Sequence, residues 1–309
     1  MTTRADDAPF AFVASDPCQA LLDRADHLRA DADALAALWA GASVLLFDSD
    51  GRVVADSAGQ PIVHRGAQIG DGPGTAVFLG VDTDARGWFA LDAAQVAGVP
   101  DGRVDLRSAA ATWRAPELSA FVTGRALQQW RQRHRYCGAC GDAVLLLRGG
   151  WQGTCRSCAL EHYPRTDPAV IVAVVDGRRL LMGRQRSWPE RRYSVIAGFV
   201  EPGETLEQAV RREVHEETGV HVRHCRYLAS QPWPFPGALM LGFIAEAEPG
   251  DAVAGDELDE ARWFERDEIE AALAAEQAGR AEDGPFLMPA RISIAHWLVR
   301  QWLAGAATR

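Results

Sequence analysis

Gly198–Val220, GFVEPGETLEQAVRREVHEETGV, is the segment that most restricts what this chain can fold into. Thr205 and Gln208 form a capping box, so a helix should begin at Leu206. Gly219 stands where a glycine ends a helix, so the helix should run Leu206–Thr218. At about 100° per residue from Leu206, Val210 falls near 40°, Glu213 near 340° and Glu217 near 20°. Glu207, Gln208, Arg211 and His215 cluster between roughly 100° and 200°, and Glu216 flanks the apolar face near 280°. Two carboxylates one turn apart therefore share the face that must be buried. They repel each other and lose hydration unless a cation joins them. Oxygen-only ligands suit Mg2+ or Mn2+. The competing reading is a solvated acid pair with Arg211 and Arg212 as partners, and the inward facing weighs against it.

What the chain lacks narrows its chemistry further. It has no Lys and no Asn in 309 residues, and all 32 basic side chains are Arg. That excludes Schiff-base catalysis, a phosphate-binding P-loop lysine and N-glycosylation. Phosphate must be held by Arg, backbone N–H or a metal. Net charge is 32 − 42 = −10, which opposes avid nonspecific binding to nucleic acid. The first ten residues, MTTRADDAPF, carry no apolar core of a signal peptide, and no apolar run is long enough to span a bilayer. The expectation is a cytoplasmic enzyme with no membrane association.

Four of the six cysteines, Cys137, Cys140, Cys155 and Cys158, are spaced C-x2-C-x14-C-x2-C. In a cytosolic chain this is the spacing of a structural zinc site, two knuckles supplying four thiolates. Gly138 and Gly141 permit the first bend, and strands at Val144–Arg148 and Trp151–Thr154 complete a zinc ribbon. Cys18 and Cys225 are isolated thiols. Before the ribbon, a helix at Cys18–Ala40, a hairpin at Ser43–Ala55 and strands at Ile62–Arg65, Ala76–Val81 and Trp88–Leu91 describe an α+β region. A helix at Pro116–His134 leads into the ribbon. The stretch 103–135 holds seven Arg and is either an anion-binding surface or a solvated face or dimer contact. After it, strands at Ala169–Val175, Arg179–Gly183, Tyr193–Ala197, His221–Ser230, Leu239–Glu246 and Ala261–Phe264 alternate with helices at Leu206–Thr218, Asp267–Gln277 and Ile292–Leu303. The predicted class is α+β. The domains are an N-terminal α+β domain (1–112), a linking helix (113–136), the zinc ribbon (137–163) and a mixed sheet with helices on both faces (164–309).

The glutamate segment matches the Nudix box, G-x5-E-x7-R-E-U-x-E-E-x-G-U, at Gly198, Glu204, Arg212, Glu213, Val214, Glu216, Glu217, Gly219 and Val220. The chain thus resembles the Nudix hydrolases, whose fold is an α/β/α sandwich with a mixed sheet. Ten residues on, Ser230-Gln231-Pro232-Trp233-Pro234-Phe235-Pro236 reads as a rigid, extended, aromatic-bearing loop. It resembles the SQPWPFPxS signature of the NADH pyrophosphatase branch, which also carries an N-terminal domain and a zinc ribbon. Ala238 replaces the signature's last Ser and removes a hydroxyl.

The resemblance implies roles residue by residue. Glu213, Glu216 and Glu217 would ligate Mg2+ or Mn2+, with Glu257 and the carbonyl of Ala197 adding to the set. Glu217 is the expected catalytic base, beside Glu213 and Glu216. Gly198, Glu204, Arg212 and Gly219 are structural, Arg212 orienting Glu204. Tyr163 and Phe199 would sandwich a base of NAD, the tyrosine crossing from the partner in a homodimer. Gln231, Pro232, Trp233, Pro234, Phe235, Pro236 and Ala238 would frame the substrate, with Ala295 and Arg107 near it. The expected reaction is metal-dependent hydrolysis of NADH or NAD+ to nicotinamide mononucleotide and AMP, and removal of the NAD cap from RNA 5′ ends. Alternatives are ADP-ribose or another dinucleotide as substrate. A reading from a different class is a ribbon module that binds nucleic acid or protein beside a silent Nudix fold.

Overall fold

The computed structural model describes residues 22–305; Cys18 and the beginning of the first expected helix lie outside them. Among the described residues, one compact unit contains 22–166 and 234–237, and a second contains 167–233 and 238–305.

The first unit opens with α1 (Ala32–Trp39), shorter than the Cys18–Ala40 expected. Asp31 explains the late start, because its side chain accepts the Ala34 N–H and caps the helix there. Ala25, in the left-handed region at φ 42, blocks continuation from upstream. A six-stranded sheet follows: β1 (Ser43–Phe47), β2 (Val53–Val54), β3 (His64–Arg65), β4 (Val77–Val81), β5 (Gly87–Asp92) and β6 (Arg103–Val104). Its order is β4-β5-β1-β2-β6, with β3 also on β1 and β1 parallel to β5. The Asp48–Arg52 segment is the expected hairpin turn: the Asp48 side chain accepts the N–H groups of Asp50 and Arg52, and Gly51 takes φ 72. Two short helices, α2 (Gly66–Ile69) and α3 (Leu106–Ala109), precede the long α4 (Ala115–Arg133). Pro116 in its first turn is well placed, because no helical N–H is lost there. Phe121 of α4 meets Phe47 of β1 edge-on at 5.6 Å, so the helix covers this sheet.

The ribbon is the three-stranded sheet β7 (Val144–Leu147), β8 (Gln152–Cys155) and β9 (Glu161–His162). Gly141, at φ 78, makes the first knuckle's turn; Gly138 has no such φ. The second knuckle turns on Ala159 at φ 57, where a Cβ is disfavoured.

The second unit is an α/β/α sandwich, as expected. Its strands are β10 (Asp167–Val175), β11 (Arg179–Gln185), β12 (Ile196–Phe199), β13 (Val222–Trp233), β14 (Ala238–Ala247) and β15 (Leu258–Glu265), ordered β13-β14-β10-β11-β15 with β12 on β10. β10 is parallel to β14 and antiparallel to β11 and β12, which makes the sheet mixed. β10 is buried on both faces, as its unbroken apolar run requires. Val170, Val172 and Val174 cluster with Val210 and Val214 of α5 (Leu206–Thr218). The helices α6 (Arg266–Gln277) and α7 (Ile294–Leu303) complete the unit, α7 packing on β10 and β14.

The strand expected at Tyr193–Ala197 is shifted to Ile196–Phe199, with Ser194 held only by a single bridge to Gly183. The stretch from Ser230 is not a free extended loop: β13 continues through Trp233, and only Pro234–Gly237 turns. Pro232 is tolerated because β13 is the outer strand, where a missing N–H breaks no ladder. Among the described residues, no helix is long and apolar enough to cross a membrane.

Candidate active site

α5 begins and ends where its sequence signals place it. The Thr205 side chain accepts from the Gln208 N–H, Gln208 reciprocates, and Gly219 at φ 69 returns its N–H to the His215 carbonyl. Burying Val210 and Val214 stabilises the helix against the sheet by about 1.5–3 kcal/mol each. That is enough to hold acidic side chains on the same face in poor solvation. Glu217 is buried, Glu213 is half-buried, and Glu216 points outward.

Arg212 is the cation these acids share. Its Nε and Nη2 donate to both oxygens of Glu204 at 2.7 and 2.9 Å. Its Nη1 donates to Glu213 at 2.9 Å and Glu216 at 3.0 Å, and Nη2 also reaches the Phe199 carbonyl at 2.8 Å. The bidentate pair with Arg212 holds the Glu204 carboxyl down at about 2. Glu204 therefore stays ionised and fixes the guanidinium. Gly198 has a steric reason to be glycine: a Cβ there would lie 1.9 Å from the Glu213 carboxyl carbon.

Among the described residues, no cation pairs with Glu217. Burial above all, then the charges of Glu213, Glu257 and Glu216, push its carboxyl up to about 8. Burial also raises Glu213, against the pull of Arg212. Glu257 arrives on a loop tied to the end of α5: Val253 N–H donates to the Thr218 carbonyl and Gly255 N–H to that of Glu217. These bonds satisfy two carbonyls that a helix terminus leaves open. Gly255 permits the approach, since its Cβ would come 2.2 Å from the Glu216 carbonyl oxygen. Four carboxylates on two docked elements are the donor type that divalent cations take through oxygen. Among the described residues, however, no three carboxylates converge as tightly as the cysteines do.

Beside them lies a cavity of about 170 Å³. Glu217, Ala197, Trp233 and Ala295 line it, so four residues singled out from the sequence meet there. Trp188 and Met240 also line it; as one tryptophan of ten and one apolar strand residue, they gave no signal in the sequence. Phe199 is exposed at the end of β12. Gln231 is fully buried, and its amide is committed to α7: Nε2 donates to the Ile292 carbonyl at 2.7 Å, and Oε1 accepts from the Ile294 N–H at 2.8 Å. It shapes the floor that carries Ala295 instead of presenting a free amide. Pro232 is exposed, and Ala238 opens β14 opposite Trp233.

Other candidates belong to the first unit. Tyr163 is exposed just beyond β9, and its hydroxyl donates to Glu161. Pro234, Phe235 and Pro236 form the turn, with a cis bond between the last two, and the Arg107 guanidinium lies 3.9 Å from the Phe235 ring centre. The thiols of Cys137, Cys140, Cys155 and Cys158 lie within 4.8 Å of one another, with sulfur separations of 3.3–3.7 Å along three edges. A tetrahedral zinc with bonds of about 2.3 Å needs edges of about 3.8 Å, so the group fits. A backbone bond at Cys158, above all, and the neighbouring thiols hold Cys155 down to about 7. Cys140 is pushed up to about 12 by its sulfur neighbours, although a backbone bond at Asp142 pulls the other way.

Two family descriptions match the chain: "NUDIX domain" over residues 165–286 and "NADH pyrophosphatase zinc ribbon domain" over residues 132–163. The chain is 40% identical over 290 residues to the NAD-capped RNA hydrolase NudC of Mycobacterium bovis, covering 91% of this chain and 92% of that one. It has the same identity and coverage with NudC of Mycobacterium tuberculosis. With the NAD-capped RNA hydrolase NUDT12 of Homo sapiens it shares 38% over 198 residues, 60% of this chain and 42% of the human one.

Proposed function

Because the chain belongs to the Nudix hydrolase family and carries the zinc ribbon of its NADH pyrophosphatase branch, we propose that it hydrolyses the diphosphate bond of NAD(H) to nicotinamide mononucleotide and AMP, and removes NAD caps from RNA 5′ ends by the same cleavage. The observation that carries the reading is the buried Glu217, facing a cavity and crowded by Glu213, Glu257 and Glu216, with no ion pair among the described residues. Acids so arranged are costly for stability alone. Glu213, Glu216, Glu217 and Glu257, with the carbonyl of Ala197, are the proposed ligands of Mg2+ or Mn2+. A divalent ion held by these residues would supply neutralising charge for the diphosphate and a lowered pKa for a bound water. Glu217, the acid that faces the cavity, is the proposed group that positions or deprotonates the attacking water. Arg212 and Glu204 hold Glu213 and Glu216 in place and do not meet substrate.

Trp233, Phe199, Phe235 and Tyr163 are the proposed aromatic contacts to the bases, Tyr163 crossing from the partner of a homodimer. Pro232, Pro234, Pro236 and Ala238 shape the same path, Arg107 steadies Phe235, and Ala295 bounds the cavity. The four cysteines hold one structural zinc, since four sulfurs leave no position for substrate. The division into an N-terminal domain (1–112), linking helix (113–136), ribbon (137–163) and hydrolase domain (164–309), and a cytoplasmic location, belong to the same proposal.

One assay panel tests it: NADH, NAD+, ADP-ribose and NAD-capped RNA, each with Mg2+ or Mn2+, read as AMP or 5′-monophosphate release. Both NAD forms and the capped RNA should be cleaved. Cleavage of ADP-ribose with neither NAD form cleaved would replace the reading with the one that the missing hydroxyl at Ala238 leaves open.

A further inference from the structure

The first unit donates one more arginine to the loop after β13, and sequence patterning gave it no individual role. The tip, Pro234–Gly237, leaves β13 at Trp233 and returns to β14 at Ala238, the pair that closes the ladder. Proline supplies no N–H, so a turn written Pro-Phe-Pro-Gly can satisfy few of its own carbonyls. The Pro234 carbonyl accepts from Arg125 Nε at 3.0 Å. Nη1 of the same guanidinium donates to the carbonyls of Asp50 at 3.0 Å and Gly51 at 2.7 Å. Three carbonyls from two separate turns are thus joined by one side chain of α4. The hairpin comes so close that a Cβ at Gly51 would lie 2.6 Å from Arg125 Nη1. The Arg125 guanidinium also lies 5.2 Å from the Phe235 ring centre, and Arg107 lies 3.9 Å from the same centre.

We infer that Arg125 is a positioning residue for substrate recognition: it fixes the Pro234–Phe235 tip, and through the adjoining peptide bond the Trp233 side chain that lines the cavity beside Glu217. The inference rests on the proposed dinucleotide reading. Arg125 has no part in water activation, so its loss weakens substrate binding and leaves the chemical step intact. The seat requires a fork. Lysine would keep the charge, but its single ammonium cannot serve Pro234 on one side and Asp50 and Gly51 on the other while lying over a ring.

Steady-state kinetics on NADH, with wild type, Arg125→Ala, Arg125→Lys, Phe235→Ala and the Arg125→Ala/Phe235→Ala pair, tests this. KM should rise about tenfold in Arg125→Ala, which corresponds to about 1.4 kcal/mol of binding. kcat should stay within about twofold, and lysine should not restore KM. Because Arg125 acts through the tip, the double variant should be no worse in KM than Phe235→Ala alone. Arg125→Lys keeps the stem and charge, and it decides the matter if the alanine variant does not fold. A wild-type KM in Arg125→Lys, a fall in kcat at unchanged KM, or additive effects in the double variant would each overturn the assignment. Failure of wild type to cleave either NAD form would instead sink the function on which it rests.

Discussion

The zinc ribbon and the glutamate site solve one physical problem in two ways. Each gathers four groups that become negative, an arrangement that is costly unless a cation offsets the repulsion. In the ribbon, Cys137, Cys140, Cys155 and Cys158 converge from two short knuckles until the sulfurs touch. All four corners of a tetrahedron are filled, so nothing can be exchanged there. In the second unit, Glu213, Glu216 and Glu217 stand on one rigid helix and Glu257 on a docked loop, and Arg212 already draws Glu213 and Glu216 to one side. Glu217 is left buried and open to a cavity, and no cation among the described residues pairs with it. A closed ligand set builds structure, whereas an open one leaves room for substrate and water.

The contrast can be broken most forcefully at Glu217. Glu217→Gln should lower kcat by roughly 10²–10⁴-fold with the fold intact. The chelated variant should also melt higher than chelated wild type at pH 8, because a neutral amide relieves a buried charge. Near-normal turnover in the folded variant would remove Glu217 from catalysis. Gly198→Ala is expected to cost about 10²-fold in kcat/KM, since the new methyl must displace the Glu213 carboxylate. Kinetics like wild type would mean that the seat of Glu213 is not needed.

A smaller effect separates the regions by pH. In chelated protein the folded state holds the Glu217 proton up to about 8, against an ordinary value of 4.5. Its contribution to stability is complete below 4.5 and is lost as pH rises towards 8. Glu204 runs oppositely: held down at about 2, it contributes above the ordinary carboxylate value and loses that contribution as pH falls towards 2. Melting curves from pH 4.5 to 8, with and without Mn2+, should show the ion stabilising most at the alkaline end. A metal effect independent of pH would contradict the assignment. The smallest effect belongs to the ribbon: Ala159→Gly should stabilise by about 1 kcal/mol by relieving the left-handed backbone at φ 57. An unchanged or lower melting temperature would show that the knuckle bears no such strain.

Much of this was legible because the signals were local. Thr205, Gln208 and Gly219 set both ends of α5, and the 3.6-residue period put Glu213 and Glu217 on the buried face. The cysteine spacing located the ribbon in the same way. What stayed hidden depends on partners far along the chain. Arg125 meets carbonyls at Asp50, Gly51 and Pro234, and patterning showed it only as one of seven arginines in a basic stretch. Gln231 looked like a substrate contact because its neighbours do, but it turns inward to the start of α7. Ala159 carries no mark of its positive φ, since alanine is not the residue such a position prefers.

On the proposed function, the closed site holds structure while the open one performs the chemistry. This division is tested by following AMP release from NADH as weakly held divalent ions are stripped and returned, with zinc per chain measured at each step. Cleavage should disappear on stripping and return with Mg2+ or Mn2+ while one zinc stays bound throughout. Cleavage that persists in the stripped, zinc-loaded protein, or that fails to return with either ion, would contradict it.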